Sequence, residues 1–192
     1  MTKEELKAIL QEEKELYLGK NAKKIKKQKK CHHKRYTIWK YLYYFRKTKF
    51  WQCVRTEKGT KRWLKIYSKY AYRYYDKKRN IYSEKSGIEI GINSQIGKNC
   101  DIWHSNVVIN GIVGDNCVFH GSNIIGNKGA NATPILGNNV DIGAGAIIIG
   151  DVKLEDGIVV GAGAVVTKSF EISGCVIAGV PAKVLRRGES GA

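Results

Sequence analysis

Aliphatic residues or Phe recur every six positions through the second half of this chain. They stand at 90, 96, 102 and 108, then after a one-residue slip at 113, 119 and 125, and after a longer break at 136, 142, 148, 154, 160 and 166. Glycine often follows, as in Ile90-Gly91, Ile96-Gly97, Leu136-Gly137, Ile142-Gly143 and Val160-Gly161. A helix repeats every 3.6 residues and a two-faced strand every two, so neither explains a period of six. A solenoid does, if each hexad forms one short flat side whose aliphatic points into a shared core and three sides close a triangular coil. Small residues such as Ala144, Gly145, Ala162 and Gly163 suit the tight corners, where a bulky Cβ would clash or φ must be positive. An antiparallel β domain with Gly-rich turns is the alternative, but its turns are seldom spaced so regularly.

A chain of 192 residues has room for one solenoid and a smaller piece. The net charge of +17 is unevenly spread: residues 1–86 hold 27 Lys and Arg against 8 Asp and Glu, and the remainder holds 7 against 9. All 11 tyrosines also lie in the first part. We therefore expect a basic, tyrosine-rich α-helical region over 1–86, a β domain over 87–187 and a short tail over 188–192, with Ser83–Ser86 as the joint. The cysteines at 31, 53, 100, 117 and 175 are odd in number and form no CxxC pair, which suggests neither a disulfide framework nor a zinc knuckle and fits a reducing cytosol. Cys100 and Cys117 read as small packing residues of the repeats. No apolar run resembles a signal peptide or approaches the ~18 residues of a membrane span, so the expectation is a cytoplasmic protein, soluble or peripheral.

Thr2 and Glu5 form a capping-box pattern that opens a helix running to about Leu18, before Gly19. The lysine-rich stretch from Lys20 to Lys34 has only Ala22 and Ile25 to bury and reads as a flexible or extended basic link. Ile38, Trp39, Leu42, Tyr43, Phe45 and Phe50 return at helical spacing, and beyond Gly59 a third helix from Thr60 to about Lys78 carries Trp63, Tyr67, Tyr70 and Tyr74 in one stripe, with Leu64, Ala71 and Tyr75 beside it. Such a stripe is usually a packing surface, here between helices and over the open edge of the first coil. Aromatics among cations also suit an anionic membrane or a nucleic acid.

The ending Ile177-Ala178-Gly179-Val180-Pro181-Ala182-Lys183-Val184, set behind these repeats, resembles the tail that follows the last coil of the hexapeptide-repeat acyltransferases. The likeness is strongest to the branch holding serine O-acetyltransferase and the sugar O-acetyltransferases of bacterial surface polysaccharides. It covers 87–187 well and 1–86 only loosely. It implies a mainly β fold, a left-handed parallel β-helix preceded by the helical region, assembled as a homotrimer that uses acetyl-CoA as co-substrate. The same likeness favours a membrane surface over nucleic acid for residues 20–79, since many surface polysaccharides are built on lipid-linked intermediates.

Acyl transfer from a thioester to a hydroxyl needs a base for the alcohol proton and close placement of both reactants. His104 and His120 are the histidines of the repeats, and Glu89 precedes His104 by fifteen residues, close to one coil of about eighteen. The serine acetyltransferase pattern has an acidic residue at this offset from its catalytic His, so the resemblance implies His104 as general base and Glu89 as the carboxylate that orients it. His120 reads as a second proton carrier, a substrate ligand or a backbone-satisfied corner residue; zinc would need a third histidine, and no metal is expected.

Departures from that pattern bear on the acceptor. Trp103 stands where the family has an acid, its Arg-His pair falls on Ala132-Thr133, and the segment from His104 to Gly114 is short. Trp103 would suit the CH face of a sugar, with Ser105, Asn106 and Asn110 as polar groups and the loop from Asn127 to Thr133 shaping the pocket. The resemblance places the pantetheine arm of coenzyme A against Ala144 and Ala162, with Lys168 and Lys183 as partners for its phosphates. The expectation is thus an O-acetyltransferase acting on a small-molecule or lipid-linked sugar of a surface polysaccharide precursor. Serine as acceptor is the alternative, and a non-catalytic trimeric scaffold with a basic face is a further one.

Overall fold

The computed structural model describes residues 2–31, 33–129 and 132–187. The chain divides into two compact units with the boundary between Ile88 and Glu89.

The first unit is helical: α1 (Lys3–Leu18), α2 (Ala22–Lys30), α3 (Lys34–Thr56) and α4 (Arg62–Ser86). Thr2 caps α1 as expected, its hydroxyl accepting from Glu5 N at 3.1 Å while Glu5 returns a bond to Thr2 N at 2.8 Å. No cation of its own closes the last turn of α1; instead Arg35 of α3 donates to the carbonyls of Leu16 and Tyr17 in that turn. Leu6, Tyr17, Leu18, Ile38, Tyr41, Leu42 and Phe45 form the core. Within it Glu13 accepts from Arg46 Nη2 at 2.7 Å and Nε at 3.1 Å. Desolvation outweighs the guanidinium and holds the Glu13 carboxyl above its ordinary value.

Two expectations for this unit are corrected. The stretch read as a flexible link contains α2, whose Asn21 side chain accepts from Lys24 N at 3.1 Å. None of its residues is buried, so it lacks the apolar face by which helices are recognised, yet Lys and Gln are good helix formers and the cap supplies the start. The aromatic stripe of the last helix is not its packing face, although Tyr67 touches the Trp51 ring of α3 with its edge. Leu64, Ser68, Ala71 and Tyr75 turn inward instead, and Trp63, Tyr67, Tyr70 and Tyr74 stay 55–65 % exposed. The helix also runs on through the expected joint to Ser86, where Gly87 caps it in the left-handed conformation at φ 66°.

The second unit is a left-handed parallel β-helix. Its first coil comprises β1 (Ile88–Ile90), β2 (Gln95–Ile96) and β3 (Asp101–Ile102), and its second β4 (Val107–Ile109), β5 (Ile112–Val113) and β6 (Val118–Phe119). β7 (Ile124–Gly126), β8 (Ile135–Leu136) and β9 (Asp141–Ile142) make the third; β10 (Ile147–Ile149), β11 (Lys153–Leu154) and β12 (Val159–Val160) the fourth. The fifth has β13 (Val165–Val166), a bridge at Phe170 and β14 (Val176–Ala178), after which β15 (Lys183–Arg186) folds back antiparallel on β14. The strands stack into a five-stranded sheet β1-β4-β7-β10-β13, a four-stranded sheet β2-β5-β8-β11 and a six-stranded sheet β3-β6-β9-β12-β14-β15.

The hexad aliphatics fill the interior, with Ile102, Phe119, Ile142, Val160 and Ile177 in one buried row. One position differs: at the slip, Val107 and Ile109 point inward and Val108 is half-buried, because the three-residue strand β4 puts alternate side chains on opposite faces. Between the four- and six-stranded sheets each coil turns through a left-handed residue, successively Asn99, Asn116, Asn139, Gly157 and Gly174. Asn tolerates that conformation, and side chains bond from coil to coil along the same edge: Asp115 accepts from Lys98 N at 2.9 Å, Asn138 from Asp115 N at 2.9 Å and Asp156 from Asn138 N at 2.7 Å. Cys100 and Cys117 are buried beside this corner, as packing residues.

Candidate functional site

The corner leading from the six-stranded to the five-stranded sheet carries both histidines of the solenoid. Register fixes their neighbours. Ile102 pairs with Phe119, Phe119 with Ile142 and Ile142 with Val160, so the residues one step later, Trp103, His120, Gly143 and Gly161, stack in one row. Two steps later His104, Gly121, Ala144 and Ala162 stack in a second. Gly121 is required there: at φ 114° a Cβ would lie 2.5 Å from His104 Cβ. In the second row, then, three small residues lead up to one exposed imidazole.

His120 carries the oriented imidazole. Its Nε2 is 2.8 Å from Asp141 Oδ1, and its ring meets that of Trp103 at 4.4 Å between centroids. Trp103 is 45 % exposed and donates from Nε1 to Asp101 Oδ2 at 3.0 Å. A carboxylate on Nε2 fixes the tautomer with Nδ1 as acceptor, the arrangement of a positioned base. Asp141 is the residue that the sequence reading missed. Its signal is the repetition of Asp101-Ile102 as Asp141-Ile142, since both acids stand before an inward Ile and the register aligns them through Val118 on the outer face of one sheet.

Glu89 and His104 are both exposed, and neither makes a side-chain hydrogen bond or ion pair among the described residues. Glu89 projects from the outer face of β1 between the buried Ile88 and Ile90, while His104 stands at the corner before β4. Ser105 and Asn106 share that corner; the Ser105 carbonyl accepts from Ser122 N, and Asn106 adopts φ 61°.

Asn110 and Thr133 lie elsewhere, on the corner between the five- and four-stranded sheets. They line a cavity of about 290 Å³ with Gly91, Ser94, Gln95 and Asn127. The residues expected to bind the acceptor are thus divided between two edges of the prism. Ala130 and Asn131 of the expected loop lie outside the described residues. Ala144 and Ala162 are exposed on the histidine ridge. Lys168 lies on the other edge, 5.8 Å above the Phe170 ring, and Lys183 is exposed on β15 opposite Ala178. Among the described residues no three His, Cys, Asp or Glu side chains gather as metal ligands.

Parallel in-register coils closed by small-residue corners define the hexapeptide-repeat left-handed β-helix. Comparisons with protein-family models and with curated proteins find no match. Solved structures do match, serine acetyltransferases among them. That of Neisseria gonorrhoeae is 18 % identical with a TM-score of 0.69, over 99 % of this chain and 70 % of that one. That of Vibrio cholerae is 23 % identical with a TM-score of 0.60, over 81 % and 55 %. A serine acetyltransferase in complex with CoA is 18 % identical with a TM-score of 0.60, over 78 % and 57 %. The chain spans little more than half the length of the last two, and at such identities the likeness is one of fold.

Proposed function

We propose that the solenoid transfers an acetyl group from acetyl-CoA to a hydroxyl, as an O-acetyltransferase. The row His104-Gly121-Ala144-Ala162 carries this reading. Coils repeat at ~4.8 Å, so the three small residues form a track of roughly 14 Å ending at an imidazole, long and narrow enough for an extended thioester arm. The CoA complex among the matched structures supports the same donor. Lys183, exposed on β15 opposite Ala178, is the proposed partner of its phosphates, and Lys168, on another edge of the prism, would meet them only from a neighbouring subunit.

In this reading His104 takes the acceptor's proton as the oxygen attacks the thioester carbonyl, and returns it to the departing thiolate. Glu89 is the proposed acceptor of the other His104 N–H, formed when the ligands order the corner. The His120–Asp141 pair stands one coil away as a second imidazole able to bind the acceptor or relay its proton. The working assembly is proposed to be a homotrimer.

Serine is the acceptor favoured by the matched structures named above, each described as a serine acetyltransferase. A sugar hydroxyl is the second reading, favoured by the half-exposed indole of Trp103 and by Ala132-Thr133 in place of a cation for the serine carboxylate. Coenzyme A release from acetyl-CoA, measured with serine and in parallel with nucleotide- and lipid-linked sugars, separates the two. Turnover with serine alone selects the first and turnover with sugars alone the second. Failure to release coenzyme A with any hydroxyl acceptor overturns acetyl transfer.

A further inference from the structure

The helical unit carries a surface that its own fold leaves uncovered. Three sectors run along α4: Leu64, Ser68, Ala71 and Tyr75 turn inward, Arg62, Lys65, Lys69 and Arg73 form a cationic band, and Trp63, Ile66, Tyr67, Tyr70 and Tyr74 stand 53–65 % exposed. Spaced three and four apart, the last five make one continuous apolar arc. Tyr67 meets Trp51 at 5.3 Å between ring centroids, and Trp51 lines a groove of about 580 Å³ formed by α1 and α3. The groove's apolar lining includes Leu6, Leu10, Tyr43 and Phe50, and Lys3, Lys7, Lys14 and Lys47 stand around it.

We propose that this face docks on the surface of an anionic phospholipid bilayer. Its charge decides against a second copy of itself, since residues 1–86 hold 27 Lys and Arg against 8 Asp and Glu and two such faces repel. Its aliphatic members outside the core, Leu10 and Ile66, offer no π-face for a base to stack on, which argues against a nucleic acid. Tyr and Trp settle at the headgroup boundary with their rings in the apolar layer, and lysine stems reach past them to phosphates. No helix among the described residues is long and apolar enough to cross a membrane, so the contact lies along the surface. The proposal is independent of the acetyl-transfer reading.

The test uses the full chain with vesicles of phosphatidylcholine alone or mixed with phosphatidylglycerol, some carrying brominated acyl chains. We expect binding to the mixed vesicles, quenching of tryptophan fluorescence by the brominated lipid, and retention of part of the binding in high salt. Removing Arg62, Lys65 and Lys69 together as glutamines should weaken binding on the order of 10²-fold, about fivefold per charge. Trp63→Ser with Tyr70→Ser and Tyr74→Ser should abolish the quenching and the salt-resistant fraction. All these side chains are exposed, and circular dichroism checks that the variants keep their helices. Equal binding to both vesicle types, adsorption without quenching, a change of oligomeric mass in the aromatic variant, or preferential capture of an RNA oligonucleotide through the same aromatics would each overturn the proposal.

Discussion

Gly121 makes the sharpest residue-scale prediction. A methyl group there would meet His104 Cβ at 2.5 Å in a backbone already at φ 114°, so Gly121→Ala should push the imidazole off the end of the small-residue row. We expect kcat to fall at least tenfold, with a smaller rise in KM for acetyl-CoA, since Gly121 is the step of the row next to the imidazole while Ala144 and Ala162 are untouched; steady-state kinetics checks both. Glu13 gives a prediction in pH. Its folded-state pKa lies above the unfolded value, so its contribution to stability is full below about pH 4, the unfolded carboxylate value, and is lost as pH rises through the folded one. Glu13→Gln removes that titration and should therefore gain on the parent protein as pH rises from 4 to 7, read from helical ellipticity in denaturant; a relative loss over that range would reverse the sign. At this scale the sequence was partly legible. His104, His120 and Trp103 could be singled out because His and Trp are rare in the repeats, whereas Asp141 could not be matched to His120 without the register that pairs Phe119 with Ile142.

Among the elements, the strands were legible and the helices less so. A six-residue period is imposed by every coil on the next, and only at β4 does a three-residue strand shift which aliphatics point inward. Helix α2 escaped because it buries nothing, and the stripe on α4 misled because amphipathicity says that a face is apolar and not what covers it. The split of Asn110 and Thr133 from the histidine corner had the same root: sequence distance does not tell which of three corners a residue occupies. Because each coil contacts only its neighbours, a cavity in one is felt locally. Phe119 is fully buried between Ile102 and Ile142, and Phe119→Ala should cost about 3–5 kcal/mol, with the loss of amide hydrogen-exchange protection concentrated in the first three coils.

At the scale of the whole molecule, charge and chemistry are segregated: a basic helical unit ends at Ile88, and a nearly neutral solenoid bearing the histidine ridge begins at Glu89. That division was legible in composition alone, because a solenoid meets its packing needs with aliphatics and glycines and has little use for tyrosine. The chemistry of the ridge was legible only as candidate residues, since their alignment with Ala144 and Ala162 depends on coil length. The most direct measurement is acceptor-dependent coenzyme A release by the parent protein and by His104→Ala, with sedimentation and circular dichroism run on both. We expect release to fall by at least 10³-fold in the variant while its mass and spectrum stay unchanged, because the variant lacks the imidazole proposed as the base at the end of the row. Substantial release by His104→Ala would contradict that role and pass it to His120 and Asp141.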